Sequence, residues 1–88
     1  MVLFVGNLSK ITTERELKEL FAGYGVIKKL RIMVDKITRR SRGYAYVDME
    51  QDTAAFAAVL KLNTSIFMSN CLIVGIATPG QLSKIEWA

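Results

Sequence analysis

The chain has 88 residues, of which 51% are hydrophobic and 23% are charged, with a single proline. This composition excludes intrinsic disorder, collagen-like repeats and low-complexity sequence, and the length favours one small domain. The lone Cys71 excludes an internal disulfide and a cysteine-based zinc site, and the lack of histidine excludes Ser-His-Asp and Cys-His catalysis. We therefore expect no metal and no cofactor.

Positive charge is concentrated in one segment of the chain. The whole chain carries a net charge of +4, but residues 28–42 alone carry +6 and the remaining residues −2. A local positive potential suits a nucleic-acid partner. A solvated basic hairpin would show the same pattern, so charge alone leaves both interpretations open.

The first half of the chain predicts a strand, a helix and a second strand. Residues 2–7 alternate as a short strand that ends in a turn. Thr13 and Glu16 have the spacing of a capping box, which predicts the start of a helix. Gly23 then ends this helix, and residues 27–34 alternate as a second strand.

The second half predicts a strand, a helix and a fourth strand. A basic loop at residues 35–41 precedes a third strand at 42–49. Asp52 is placed to cap a helix that runs to about residue 62, and a fourth strand is predicted at 71–77. The order β-α-β-β-α-β is typical of an α+β fold, with two helices on one face of an antiparallel sheet.

The period of two in each strand assigns residues to the two faces of the sheet. The aliphatic positions should face the helices: Leu3, Val5, Leu30, Ile32, Val34, Ala45, Val47, Met49, Leu72, Val74 and Ile76. The opposite positions carry three rings and several cations: Phe4, Tyr44 and Tyr46, with Lys29, Arg31, Met33 and Arg42. We therefore expect these rings to lie in solvent on the uncovered face.

Exposed rings need an explanation, because leaving each one in water forgoes about 1.5–3 kcal/mol. Ordinary cross-strand pairing of aromatic side chains is one explanation, and it contributes about 0.2–1 kcal/mol per pair. The other is a platform on which nucleic-acid bases stack, while neighbouring cations bind the phosphates. The mixture of rings and cations favours the platform.

Two segments of the chain resemble the RNA recognition motif (RRM) family. Residues 3–8, LFVGNL, are similar to its six-residue ribonucleoprotein motif, and residues 42–49, RGYAYVDM, to its eight-residue motif. The resemblance extends from residue 2 to about 79. It implies a ferredoxin-like fold with sheet order 4-1-3-2, an RRM domain at residues 1–79 and a tail at 80–88 in which a short helix can form.

The resemblance also implies the function, which is binding of single-stranded RNA without catalysis, with single-stranded DNA as an alternative ligand. Phe4 and Tyr46 would each stack on a base, Tyr44 would contact a sugar and Arg42 would bind a phosphate. The remaining candidate contacts are Lys29, Arg31, Arg39, Arg40 and Asn7. The uncovered positions of the fourth strand, Cys71, Ile73 and Gly75, carry no charge, so this strand should hold nucleic acid weakly.

The second helix predicts an apolar surface away from the sheet. Phe56 and Leu60 are four residues apart and point outward if Ala55 and Val59 point inward. The tail, with Leu82, Ile85 and Trp87, could cover this pair, as could a homodimer or a protein partner. The alternative function is therefore a protein-interaction module. The tail could instead lie across the sheet and mask Phe4 and Tyr46.

The N-terminal sequence predicts no membrane attachment. Its apolar run is interrupted at Gly6 and Asn7, which makes it too short for a signal-peptide core or a membrane span. We expect a cytoplasmic protein, or a nuclear one if the source is eukaryotic.

Overall fold

The computed structural model describes residues 1–85 and residue 87. Along the chain its elements are β1 (Val2–Gly6), α1 (Glu14–Ala22), β2 (Ile27–Val34), β3 (Ser41–Met49), α2 (Asp52–Leu62), β4 (Ile66–Phe67), β5 (Asn70–Cys71), β6 (Ile73–Ile76) and α3 (Pro79–Leu82). α3 lies where the sequence predicts the tail to begin. The division into a domain at 1–79 and a tail at 80–88 stays a prediction.

The main sheet has four antiparallel strands in the order β2-β3-β1-β6. Counted from the other edge, this is the predicted order 4-1-3-2. The two strands that carry the family motifs, β1 and β3, are therefore neighbours at the centre of the sheet. The α+β fold expected from the sequence is confirmed.

The two long helices begin differently. The Thr13 hydroxyl accepts a hydrogen bond from the Glu16 amide at 3.2 Å, and the Glu16 carboxylate accepts from the Thr13 amide at 3.0 Å, as the capping box predicts. The prediction that Asp52 caps α2 is wrong, because Gln51 occupies the cap position without a side-chain hydrogen bond. Asp52 lies in the first turn, where its negative charge interacts favourably with the positive end of the helix dipole.

The core lies between the two helices and one face of the sheet. From the sheet it contains Leu3, Val5, Ile32, Ala45, Val47, Met49 and Val74, from the helices Leu17, Phe21, Ala55, Ala58 and Leu62, and from the connection between β5 and β6 Leu72. Val34 and Ile76 differ from the prediction, because they are 36% and 50% exposed. Each is the last residue of a strand at an edge of the sheet, where less of the helix layer covers it.

The fourth strand is shorter than the sequence predicts. Asn70 and Cys71 pair with Phe67 and Ile66 in a separate hairpin, and only Ile73–Ile76 joins the main sheet. Met68 and Ser69 connect the hairpin strands with φ of 50° and 70°, as a tight two-residue turn requires. Gly75 pairs with Phe4, and a Cβ added to Gly75 would have no described atom within 4 Å.

No helix in the described part of the chain combines the length and the apolar character that crossing a bilayer requires.

Candidate nucleic-acid interface

Phe4, Tyr44 and Tyr46 form a cluster on the sheet face opposite the two long helices. Their ring centroids are 5.8–6.1 Å apart, and Tyr46 lies edge-on to both of the other rings. β1 and β3 produce this arrangement because Phe4 pairs with Tyr46, while Tyr44 lies two residues earlier on the same face of β3. The prediction that the three rings share one face is confirmed.

The prediction that all three rings lie in solvent is wrong for Tyr46. Phe4 and Tyr44 are half-buried, but Tyr46 is only 6% exposed. Removal from water raises the pKa of the Tyr46 phenol above its usual value of 10, with a smaller contribution from the neighbouring Tyr44. Tyr46 is outside the core beneath the helices, and the rings of Phe4 and Tyr44 lie against it.

A second feature of this face is the path of the C-terminal tail. It leaves the sheet at β6, one edge strand, yet the Trp87 ring centroid lies 5.6 Å from the Lys29 Nζ on β2, the other edge strand. Three strand spacings, about 14 Å, separate these edges. Lys84, between them in sequence, lines a cavity together with Arg31 and Tyr44. The tail therefore crosses the ring-bearing face.

The expectation that the tail covers the outer side of α2 is consequently wrong. Phe56 and Leu60 point outward as predicted and are 47% and 82% exposed. Trp87 lies on the opposite side of the molecule, against Lys29. The structure agrees with the alternative in that the tail lies across the sheet, whereas masking of Phe4 and Tyr46 stays a prediction.

The predicted cations on the sheet lie beside the rings. Arg31 pairs with Tyr46, and Lys29 pairs with Asp48. Arg42 is exposed and lines two cavities next to Tyr44, one toward β2 and one toward β1. Lys29 differs from the others because its ammonium group already contacts the Trp87 ring.

Arg39 and Arg40 belong to a hydrogen-bonded turn between β2 and β3. The Asp35 carboxylate accepts from the amides of Ile37 and Thr38 at 2.8 and 3.0 Å, and its main chain bonds to both arginines. The hydrogen bond from the Thr38 amide, followed by that from Ile37, holds the pKa of Asp35 below its usual 3.8. Both arginines are exposed and available to a ligand.

Asn7 has a structural role in addition to its predicted one. Its side-chain amide donates to the Cys71 carbonyl at 2.7 Å, and the side-chain amide of Asn70 donates to the Asn7 main-chain carbonyl at 3.1 Å. These bonds join the end of β1 to β5, with Asn7 at a φ of 58°. A hydrogen bond from Asn7 to a base stays a prediction.

Two lysines near the rings were missed by the sequence reasoning. Lys10 lines a cavity of about 380 Å³ beside Phe4, Tyr44 and Arg42, and Lys84 lines the cavity beside Arg31. Neither belongs to a strand, so strand alternation could not assign them to a face. For Lys10 a signal was present, because it follows the six-residue motif by two positions.

Comparisons with known proteins agree with this geometry. The family model of the RNA recognition motif matches residues 3–73. The "Putative RNA-binding protein RbpD" of Nostoc sp. is 40% identical over 79 residues, which are 90% of this chain and 84% of that protein. The crystal structure of "RNA Binding Protein PG1" is 36% identical with a TM-score of 0.86, and the match covers 88% of this chain and 93% of that one.

A solved protein–RNA complex is similar as well. The "Sxl-lethal protein/RNA complex" is 38% identical with a TM-score of 0.87, and the match covers 90% of this chain and 47% of that one. The family match spans both motif strands and both helices that support them. The chain belongs to the RNA recognition motif family.

Proposed function

We propose that the chain binds single-stranded RNA on the open face of its sheet and that it is a binding module without catalytic activity. The observation that carries the proposal is the cluster of Phe4 and Tyr44, two accessible rings beside the exposed Arg42, on a face that α1 and α2 leave open. Bases stack on such rings while cations bind the phosphates. The similar solved protein–RNA complex supports the same ligand class.

Each side chain has a distinct role in the proposed complex. Phe4 stacks on one base, Tyr44 contacts a sugar and Arg42 binds a phosphate. Tyr46 takes a second base once the tail leaves its ring. Arg31, Lys29, Arg39 and Arg40 add phosphate contacts, and Asn7 bonds to a base.

Two finer points belong to the same proposal. Single-stranded DNA would compete more weakly if a contact near Tyr44 depends on the ribose 2′-hydroxyl. A cytoplasmic location also stays a prediction. The protein-interaction module predicted as the alternative is not favoured, because the similar proteins and the protein–RNA complex indicate RNA instead.

The proposal predicts that Phe4→Ala weakens RNA binding. Loss of one stacking ring costs about 1–3 kcal/mol per base, which is roughly a 5- to 150-fold rise in Kd. Fluorescence anisotropy with a labelled mixed-sequence RNA of eight nucleotides measures this change.

Phe56→Ala is the matched control, because it removes the same kind of ring from the other side of the molecule. Thermal unfolding monitored by circular dichroism establishes that both variants remain folded. Equal RNA affinity of Phe4→Ala and Phe56→Ala would contradict the proposed function.

A further inference from the structure

A second group of cations lies away from the rings, in a groove where α1 packs against β2. The groove has a volume of about 280 Å³. Its charged lining residues are four bases and one acid, namely Arg15, Lys18, Lys28, Lys29 and Glu14. None of the three clustered rings is part of the lining, so this α1–β2 groove is distinct from the surface on which bases would stack.

An irregularity in β2 leaves two consecutive lysines exposed beside this groove. Ile27 pairs with Met49 and Lys29 pairs with Asp48, so Lys28 is an extra residue in β2 and forms a bulge. In a regular strand successive side chains point to opposite faces, and one of the two lysines would face the helix layer. Here Lys28 and Lys29 are both exposed. Bulges often redirect a side chain beside a functional site, which suggests that the groove has a ligand.

The acidic residues near the groove have partners of their own. The Glu19 carboxylate lies 3.5 Å from the Arg15 guanidinium, so the charges of this exposed pair offset each other. Glu14 is one helical turn before Lys18, but its carboxylate accepts a hydrogen bond from the Ile32 amide of β2 at 2.9 Å. One acid against the remaining lysines leaves the groove positive.

Lys18 and Lys28 are the cations of the groove that remain available to a ligand. Both are exposed, and neither forms an ion pair in the part of the chain that the structure describes. Ammonium groups on the two walls of a groove repel each other, and an anion between them relieves that repulsion. Lysine binds phosphate as a point charge, without the planar geometry of arginine. The groove therefore suits a phosphate backbone.

Lys29 connects the groove to the ring-bearing face of the sheet. It lines the groove, and its Nζ lies 5.6 Å from the centroid of the Trp87 ring. Since β2 is an edge strand, an RNA strand that leaves the ring-bearing face at this edge passes Lys29 first. Asp48, opposite Lys29 on β3, balances part of its charge, so Lys18 and Lys28 must supply most of the attraction for phosphate.

We propose that the α1–β2 groove binds the phosphate backbone of RNA that extends past the β2 edge of the sheet, with Lys18 and Lys28 as its contacts. The inference rests on the proposed function, because the ring-bearing face would hold the bases and the groove the phosphates beyond them. A ring platform of this family stacks two or three bases. A short RNA therefore ends before the groove, and a longer one reaches it.

Lys28→Gln tests the proposal with RNAs of five and 16 nucleotides. The control is Lys61→Gln, which removes the same charge from an exposed position on α2, the helix that packs against β6 rather than β2. With the longer RNA, Lys28→Gln should raise Kd about 5-fold relative to the control at 0.1 M salt, because one phosphate on a single strand contributes about 0.7 to the slope of log K against log salt. With the shorter RNA the two variants should bind equally.

Lys18→Gln on α1 should reproduce the loss, which separates loss of a phosphate contact from a local change at the bulge of β2. Anisotropy measures the affinities, and thermal unfolding establishes that all three variants are folded. Equal affinity of Lys18→Gln, Lys28→Gln and Lys61→Gln for the longer RNA would overturn the proposal.

Chemical-shift mapping separates the groove from the stacking rings. The amide resonances of Phe4 and Tyr44 should shift with both RNAs, and those of Lys18 and Lys28 with the longer RNA alone. If only the ring-bearing face responds, the groove is wrong and the proposed function stands. If Phe4 and Tyr44 respond to neither RNA, the proposed function is wrong. If polyglutamate shifts Lys18 and Lys28 and the longer RNA does not, the groove fits an acidic polypeptide and the inference is overturned.

Discussion

Arg39 shows how one residue can reveal a compromise between stability and function. A left-handed backbone costs a non-glycine residue about 1–2 kcal/mol, and Arg39 is held there by the hydrogen bond from its amide to the Asp35 carbonyl. The turn would close equally well with glycine at this position. The chain therefore retains a cation at the expense of turn stability.

Arg39→Gly should raise the free energy of unfolding. Relief of the backbone strain exceeds the added flexibility that glycine gives the unfolded chain, so we expect a net gain of about 0.5–1 kcal/mol. Urea unfolding measures it. Arg40→Gly is the control, because Arg40 has no positive φ, and it should lose about 0.4–1 kcal/mol. A loss of similar size in both variants would show that Arg39 is not strained.

Tyr46 shows what strand alternation can and cannot predict. The period of two assigns Tyr46 to the face of Phe4 and Tyr44, because successive side chains on a strand must alternate. The accessibility of this face depends instead on the tail, a segment about 40 residues further along the chain. No local pattern around residues 42–49 contains that contact, so the candidate rings are predictable from the sequence but their accessibility is not.

The tail is the element that distinguishes this molecule from a bare sheet. It passes over the ring-bearing face and ends with Trp87 against Lys29. RNA bound as proposed would therefore compete with the tail for the ring-bearing face. The apparent association constant is then the intrinsic constant multiplied by the fraction of molecules in which the face is accessible.

Trp87→Ala should strengthen RNA binding several-fold, since it removes the contact with Lys29 while keeping Lys84. The same variant should lower the pKa of Tyr46 toward its usual value of 10, because the phenol regains water. Anisotropy and an ultraviolet absorbance titration of the phenols measure the two effects. Leu60→Ala, on the exposed side of α2, is the control. Unchanged affinity together with an unchanged Tyr46 pKa would show that the tail is not the cover.

The fourth strand shows a different limit of prediction at the level of elements. Its core positions, Leu72 and Val74, were predicted correctly from their alternation. Its start was not, because Asn70 and Cys71 pair with β4 across a turn formed by Met68 and Ser69. Neither turn residue is glycine or asparagine, which are the residues that predict a two-residue hairpin turn, so the sequence pattern does not predict the extra hairpin.

Charge distribution acts at the scale of the whole molecule. Residues 28–42 carry most of the positive charge, and the structure places Arg31, Arg39 and Arg42 around one cavity on the ring-bearing side. The topology itself was predictable, because alternation, capping and the two motif segments all indicated the same arrangement. The position of the tail was not, because nothing in its composition favours the sheet over α2.

RNA affinity should fall steeply with salt. Three to five neutralised phosphates, each contributing about −0.7, give a slope of log K against log salt between about −2 and −3.5. Arg42→Gln should make the slope shallower by about 0.7, whereas Arg15→Gln should leave it unchanged, because Arg15 lies on α1 in an exposed pair with Glu19. Anisotropy titrations from 50 to 300 mM salt measure the slopes. An equal change of slope in Arg42→Gln and Arg15→Gln would show that Arg42 does not bind a phosphate.

The unfilled space over Gly75 bears on how this surface can diversify. Gly75 lies directly across from Phe4, and its missing side chain leaves a gap in the platform at the β6 edge. A Cβ there would meet no described atom within 4 Å, and a larger residue would gain strand propensity, so this position can accept another ring or guanidinium in a single substitution. The residue at position 75 thus determines how far the contact surface extends toward the β6 edge, and the fold can accommodate a wider surface.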